Sequence, residues 1–331
     1  MYNQKRVTIY KIAEELGVSP STVSRALNNT GRMSQELRNK IVELAKKYNY
    51  IPNEAAKGLR TKSSMLLGLI VPDIANPYYV NVARGAQDEA DRYGYSIAIC
   101  NTDDKPDLEK KRIITLVKKQ VDGLLVFNFF NNDETLELLK TLSIPIVLFN
   151  PPPRNYKFVH IKHDTSVISS LLAYLLNKGY RKIAHIAGDQ RTIVGKLRLR
   201  HFVHFLKSHN IPLKEEWIIE SDFTYKGGYN AMKRLLSLGE RPRAVWAAND
   251  IMAIGAMDAI KEAGLSIPKD TAVAGCDDIE YASLVSPKLT TISKPKYELG
   301  VVAVKLLVNL IRGEEIGIKT LKDELIIRES A

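Results

Sequence analysis

Amides, carboxylates and aromatic rings recur in this chain at one kind of position, directly after apolar runs of strand length. Asp73, Asn76, Pro77, Tyr78 and Tyr79 follow the run at 66–71, Asn128 the run at 123–127, and Asn150 the run at 146–149. In the second half, Asp222 and Phe223 follow 217–220, Asn249 and Asp250 follow 245–248, and Asp277 and Asp278 follow 271–275. Amides and carboxylates offer the donors and acceptors that hydroxyls need, and ring faces stack on sugar C–H groups or flat bases. The set therefore suits a polyhydroxylated or heteroaromatic ligand. Each Asn or Asp could instead serve a turn or helix cap; recurrence in both halves of the chain is what marks a site.

Catalytic patterns are weaker. From Gly188 to Gly195-Lys196 there is a faint phosphate-loop spacing, but six residues intervene and Leu197 follows the lysine, where a P-loop requires four and then Ser or Thr. His201 and His204 stand three apart on an expected helix without a third ligand nearby, so no zinc site is expected. The neighbours Asp277 and Asp278 should point apart rather than share a proton. No nucleophile elbow and no dinucleotide fingerprint occurs. The expectation is a protein with no catalytic residue, no metal and no cofactor: not an enzyme.

The elements that must hold these residues follow from the same runs. Strand-length segments at 66–71, 96–100, 123–127, 146–149, 182–187, 217–220, 245–248 and 271–275 alternate with helical stretches. That alternation implies parallel sheets covered by helices on both faces, with ligands beyond the carboxyl ends of the strands. Two such sheets fit the roughly 270 residues after position 62, which predicts a periplasmic-binding-protein-like α/β body of two doubly wound parallel-sheet lobes around a cleft. A last crossover at 289–294 and a helix at 297–311 should complete the first lobe.

Residues 1–62 read differently. Ile9, Ile12, Ala13 and Leu16 lie on one helical face behind Thr8, a possible N-cap, and Gly17 ends the helix. Ser19-Pro20 then places a capping hydroxyl before a proline at the first helical position, opening a second helix to about Leu27. Two short helices around a Gly-Val turn make a helix-turn-helix, an all-α head whose second helix enters a major groove. Val23 and Leu27 should face its core, with Ser21, Thr22 and Arg25 outward. Arg25 can fork onto guanine, and Ser19, Thr22 and Ser24 can bond phosphates; equally, Arg25 could be a solvated surface charge. A third helix from the cap Ser34 to about Tyr48 buries Leu37, Ile41, Leu44, Ala45 and Tyr48.

Charge agrees with this division. The chain has 331 residues, 45% hydrophobic and 26% charged, and carries a net +11. Its first 62 residues hold twelve basic and five acidic side chains, a surplus of +7, leaving +4 for the other 269. A small basic module before a nearly balanced body is the footprint of nucleic-acid binding. No apolar signal core opens the chain and no stretch spans a membrane, so a cytoplasmic location is expected. Cys100 and Cys276 each end an apolar run, as buried free thiols would.

The stretch from Val7 to Asn28, Val-Thr-Ile-Tyr-Lys-Ile-Ala-Glu-Glu-Leu-Gly-Val-Ser-Pro-Ser-Thr-Val-Ser-Arg-Ala-Leu-Asn, closely resembles the start of LacI/GalR regulators, as does Tyr50-Ile-Pro-Asn-Glu-Ala-Ala-Lys-Gly-Leu59. The resemblance runs over essentially the whole chain. It implies a bacterial, nucleoid-associated, dimeric repressor (a tetramer is not expected) that binds double-stranded, pseudo-palindromic operator DNA and has no membrane partner. It further implies control by a small molecule in the inter-lobe cleft. The DNA-binding set becomes Thr8, Ser19, Ser21, Thr22, Ser24, Arg25 and Asn28, joined by a hinge in which Asn53 is the cap, Ala56 and Lys57 face the minor groove, and Leu59 is the wedge that kinks DNA. Leu59 could instead pack on the body when DNA is absent. Pro20 and Ser21 stand where the family selects bases, and proline has no donor to offer there. Lys57 replaces the family's usual arginine.

In the body, the family's effector positions match Asn128, Asn150, Phe223, Asn249 and Asp277, with Arg198 added from a helix motif in which His201 replaces the usual glycine. With Asn76, Tyr78 and Tyr79 these make the expected effector site. Arg198 with amides favours neutral sugars; Lys196 and Arg200 leave room for a sugar phosphate, and the rings for a purine. The expected divisions are a head at 1–48, a hinge at 49–63 and a body at 64–331, with lobe one at about 64–162 plus 292–331 and lobe two at about 163–291. Whether ligand induces or corepresses stays open. A solute-binding protein would share the body but not residues 1–62, and a sugar-acting enzyme lacks its nucleophile.

Overall fold

The computed structural model describes residues 7–51, 63–127, 130, 133–315, 317 and 320–331. The chain forms two compact units, divided between Ser64 and Met65. The first holds three helices, α1 (Ile9–Glu15), α2 (Pro20–Leu27) and α3 (Gln35–Lys47), around a core of Ile12, Ala13, Val23, Ala26, Ile41 and Ala45. Gly17 makes the turn at φ +63, a conformation that Cβ-bearing residues resist. Ser19 and Ser34 accept hydrogen bonds from the Thr22 and Leu37 amides and cap α2 and α3. Thr8 holds the N-cap position of α1 but makes no cap bond. Ala26 rather than Leu27 completes the buried face of α2; Leu27, Leu37, Leu44 and Tyr48 pack around it half-buried.

The second unit carries two parallel sheets. The first has order β2-β1-β3-β4-β5, built from β1 (Leu66–Val71), β2 (Ser96–Asn101), β3 (Gly123–Val126), β4 (Ile146–Leu148) and β5 (Val159–His160). After β6 (Lys162–Asp164) comes the second sheet, order β10-β9-β7-β8, from β7 (Ile183–Ala187), β8 (Ile218–Glu220), β9 (Ala244–Ala247) and β10 (Ala272–Ala274). Central strands are buried on both faces, which is why they read as continuous apolar runs. β2 is an edge strand of mixed exposure, so Cys100 is only half-buried, unlike Cys276.

Helices α4 (Pro77–Arg92), α5 (Pro106–Lys118) and α6 (Asp133–Thr141) cover the first sheet, and α7 (Ser166–Asn177), α8 (Ile193–Ser208), α9 (Tyr225–Leu236) and α10 (Asp250–Glu262) the second; α11 (Tyr281–Leu284) is a single turn. The late helix α12 (Lys296–Arg312) returns to the first core. It meets α4 backbone to backbone at two glycines: a Cβ on Gly85 would lie 2.0 Å from the Tyr297 carbonyl oxygen, and one on Gly300 2.0 Å from that of Val82.

Between the sheets run two short ribbons that periodicity does not announce. β6 pairs in parallel with β12 (Thr320–Lys322), and β11 (Thr291–Ser293) pairs antiparallel with β13 (Glu324–Ile326). The C-terminus then docks on the second lobe, where Ser330 bonds the Val273 carbonyl and the Tyr174 hydroxyl donates to that of Ala331. Among the described residues no helix is long and apolar enough to cross a membrane.

Candidate functional site

In the head, α2 presents a polar surface. Ser21 and Arg25 are exposed while Val23 and Ala26 are buried behind them. The Ser19 hydroxyl lies 2.7 Å from that of Ser21 and 2.9 Å from that of Thr22, and Arg25 donates to Thr22 Oγ1 at 3.4 Å. Four of the expected DNA-binding residues thus form one network on the exposed side of α2. Ser24 lies apart from it, its carbonyl and hydroxyl receiving the Asn28 amide at 2.8 and 3.5 Å. Gly31 packs against the Arg25 stem, with room for a Cβ only 3.0 Å from its Cδ. Asn53, Ala56, Lys57 and Leu59 lie outside the described residues.

In the body, a cavity of about 750 Å³ opens between the lobes, lined at the carboxyl ends of the strands. Asn76, Tyr78, Tyr79, Asn150, Arg198, Phe223, Asn249 and Asp277 all line it; Asn128 lies outside the described residues. Two of these amides already serve the fold. Asn76 Oδ1 accepts the Tyr78 amide at 3.0 Å to cap α4, while Asn249 accepts the Met252 amide at 2.9 Å and donates to the Phe223 carbonyl at 3.0 Å. That second bond holds Phe223, at φ +64, where its ring lies over Gly188; a Cβ there would meet the ring at 1.9 Å.

Arg198 is buried in the wall of the cleft. It donates to the Ala248 carbonyl and, at 3.2 Å, to Asp277 Oδ1. Asp277, at φ +117, is pinned from behind: its amide donates to the Ile292 carbonyl at 2.8 Å, and Lys296 Nζ donates to its own carbonyl at 2.6 Å. Burial pushes the Asp277 carboxyl up, against the pull of Arg198, Lys294 and Lys296. Asp278 points the other way, to Arg328 at 2.7 Å. His201 is accommodated in an unbroken α8, 3.3 Å from the Thr165 hydroxyl. Lys196 and Arg200 are exposed and do not line the cavity, which removes the two cations expected for a sugar phosphate.

The first-lobe wall is aromatic. Tyr79 meets Phe127 edge-on at 5.0 Å, and Phe127 stacks on Phe149 at 3.8 Å. Phe127 ends a strand run, and nothing in its type or spacing separates it from core. Carboxylates gather around Asp104, which lines the cavity with Asp73 and Asp222: burial, then Asp73, Asp189, Asp103 and Asp222, raise its pKa to about 6. His163, Lys294 and Asp323, on the crossover segments, also line the cavity and were not anticipated from strand ends. Among the described residues no group of three or more His, Cys, Asp or Glu is placed to hold a metal.

A helix-turn-helix unit and a two-lobed, cleft-bearing α/β unit in one chain define a class, the ligand-binding regulators. Comparison makes the assignment specific: residues 8–53 match the profile of bacterial regulatory proteins of the lacI family, and residues 172–331 that of a periplasmic binding protein-like domain. The chain is 34% identical to the HTH-type transcriptional repressor PurR of Mannheimia succiniciproducens over 98% of each chain. It is 34% identical to the ribose operon repressor of Escherichia coli K12 over 92% of this chain and 93% of that one. Its fold matches the Lac repressor dimer bound to operator and the anti-inducer ONPF with a TM-score of 0.88 and 29% identity, covering 98% and 99% of the two chains. This protein belongs to the lacI family of DNA-binding transcriptional repressors, whose members are regulators rather than enzymes.

Proposed function

We propose that this protein represses a sugar or related catabolic operon, binding a pseudo-palindromic operator as a cytoplasmic homodimer under control of a small molecule held between the lobes. The observation that carries the reading is the exposed Ser19–Ser21–Thr22–Arg25 network on α2, in the same chain as a cavity with Arg198 and Asp277 in its wall. Arg25 supplies direct base readout, the hydroxyls fix the register on phosphates, and Ser24 with Thr8 and Asn28 complete the DNA-facing set. A head at 1–48 and a hinge at 49–63 precede the body at 64–331. In the hinge, Asn53 is the N-cap, Ala56 and Lys57 face the minor groove, and Leu59 is the wedge.

In the cleft, Arg198, Asp277, Asn150 and Asn128 read polar groups, Phe223 and Tyr78 give ring faces, and Asn76, Tyr79 and Asn249 shape the walls. Ligand shifts the lobes and thereby operator affinity, a two-state coupling. Selection of binding sites from random duplex DNA tests the reading: enrichment of one two-fold-related sequence, with affinity altered by a cleft ligand, is expected. A protein that enriches no sequence defeats it. Replacing Leu59 with Ala should lessen DNA bending while leaving cleft ligands bound.

A further inference from the structure

Where the two crossover ribbons meet, at the floor of the cleft, a polar group stands incomplete. The side chain of Asp323, between β12 and β13, is 2% exposed; Lys294, just past β11, donates to its Oδ2 at 3.1 Å. Its other oxygen, Oδ1, has no hydrogen-bond partner among the described residues, and neither has Nδ1 of His163 on β6, 4.0 Å away. A buried carboxylate oxygen without a donor is costly, and both residues belong to the wall of the cavity.

We propose, building on the cleft reading above, that Asp323 and His163 form a subsite for a hydroxyl of the effector, and that the effector is an uncharged polyhydroxylated molecule. The gap of 4.0 Å is too long for a direct bond, but one oxygen about 2.8 Å from each atom spans it. With the ring in its Nδ1–H tautomer, that oxygen donates to the carboxylate and accepts from the ring. A hydroxyl does both; a phosphate oxygen or carbonyl cannot donate, and a nucleobase N–H cannot accept. Burial, then Lys294 and Arg198, hold the His163 pKa at about 3, so the ring is neutral and carries a single N–H, which this subsite places on Nδ1.

Charge points the same way. Arg198 is paired with Asp277 and Lys294 with Asp323, so both buried cations are already matched, while Asp73, Asp104 and Asp222 line the cavity as well. The other lysines of the lining, Lys162 and Lys322, are exposed, so a phosphate would enter against carboxylates with no buried cation to spare. Because His163, Lys294 and Asp323 lie on the segments that join the lobes, a hydroxyl bound there touches those segments, while the rest of the ligand faces the strand-end residues of the same cavity.

The test uses the full chain. Thermal melting with D-ribose, D-glucose, D-galactose, cellobiose and sucrose, with ribose 5-phosphate and glucose 6-phosphate, and with hypoxanthine and guanine identifies a ligand class. Calorimetry then measures Kd for the sugar that binds, in wild type, Asp323→Ala and His163→Ala. A neutral sugar is expected to raise the melting temperature, and both variants to bind it at least ~10-fold more weakly. Deoxy analogues should locate one hydroxyl whose removal weakens wild type but not Asp323→Ala. Should Asp323→Ala melt early without sugar, His163→Ala, which leaves the Lys294–Asp323 pair intact, carries the test. Unchanged sugar affinity in the variants overturns the subsite and leaves the cleft reading standing. Binding confined to phosphates or bases overturns the ligand class alone, and a wild type that binds none of the panel overturns the cleft reading with it.

Discussion

Arg198 and Asp277 are 8% and 9% exposed and face one cavity, so their pairing must be judged by what each leaves behind when removed. Arg198→Ala strands the Ala248 carbonyl and an Asp277 carboxyl that burial already pushes up. Breaking a buried pair from one side costs about 3–5 kcal/mol, so the melting temperature should fall. Effector binding should be lost, and operator binding should persist but no longer respond to ligand; a normal response would remove Arg198 from the site. Arg198→Lys should not rescue, since an ammonium cannot reproduce the planar fork. In the head, Arg25→Ala should erase about 1–3 kcal/mol of discrimination at one base pair while affinity for random DNA falls little. Competition with single-base operator variants checks this, and uniform weakening across all of them would make Arg25 a phosphate contact instead.

At the scale of elements, the two closest backbone contacts in the body are predictive. A Cβ at Gly300 would sit 2.0 Å from the Val82 carbonyl oxygen and 2.5 Å from the Ala86 amide nitrogen. Overpacking of this kind costs about 1–3 kcal/mol, so Gly300→Ala should lower the urea midpoint; an unshifted midpoint would mean that the α4–α12 contact yields freely. His185 gives a second test. It lies fully buried on β7, stacked on Trp246 at 4.3 Å, and burial lowers its pKa to about 3. Unfolded, the ring takes a proton near 6.5 that the folded ring refuses, so its stabilising contribution is present above about 6.5 and lost as pH falls toward 3. The stability gap between wild type and His185→Gln should therefore narrow by about 1.4 kcal/mol per pH unit across that window in denaturant titrations.

These elements also show what the sequence makes legible. Strands such as Leu66–Val71 and Ala244–Ala247 are apolar on both faces because helices cover both, and that leaves a readable run. Lys162–Asp164 and Thr320–Lys322 are three residues each, the first polar and the second holding a single buried Leu321, and they are strands only because they pair with each other across more than 150 positions. No local pattern records such a pairing, so nothing in the sequence marks His163 and Asp323 as cleft residues, whereas Asp277 and Asn249 are marked by their places after strand runs. Place alone does not separate amides that face ligand from those that serve the fold: Asn249 lines the cleft yet has both ends of its carboxamide engaged by backbone.

For the molecule as a whole, the surplus of +7 in the first 62 residues against +4 in the remaining 269 places the electrostatic part of DNA binding at one end of the chain. If two heads engage about 6–10 phosphates, operator affinity should drop by roughly 10³–10⁵ between 50 and 200 mM salt. Effector affinity, read by matched ion pairs and hydroxyl-scale contacts, should change far less over the same range. The two sites are joined by linkage: whatever factor the effector applies to operator affinity, operator DNA must apply to effector affinity. Measuring both at one salt concentration therefore gives two independent values for one coupling. Allosteric couplings in general amount to about 5–150-fold. Agreement within that range would establish that cleft and head report on one equilibrium, with the sign of the change deciding between inducer and corepressor. A factor of one in both directions would leave a DNA-binding protein and a ligand-binding protein that merely share a chain.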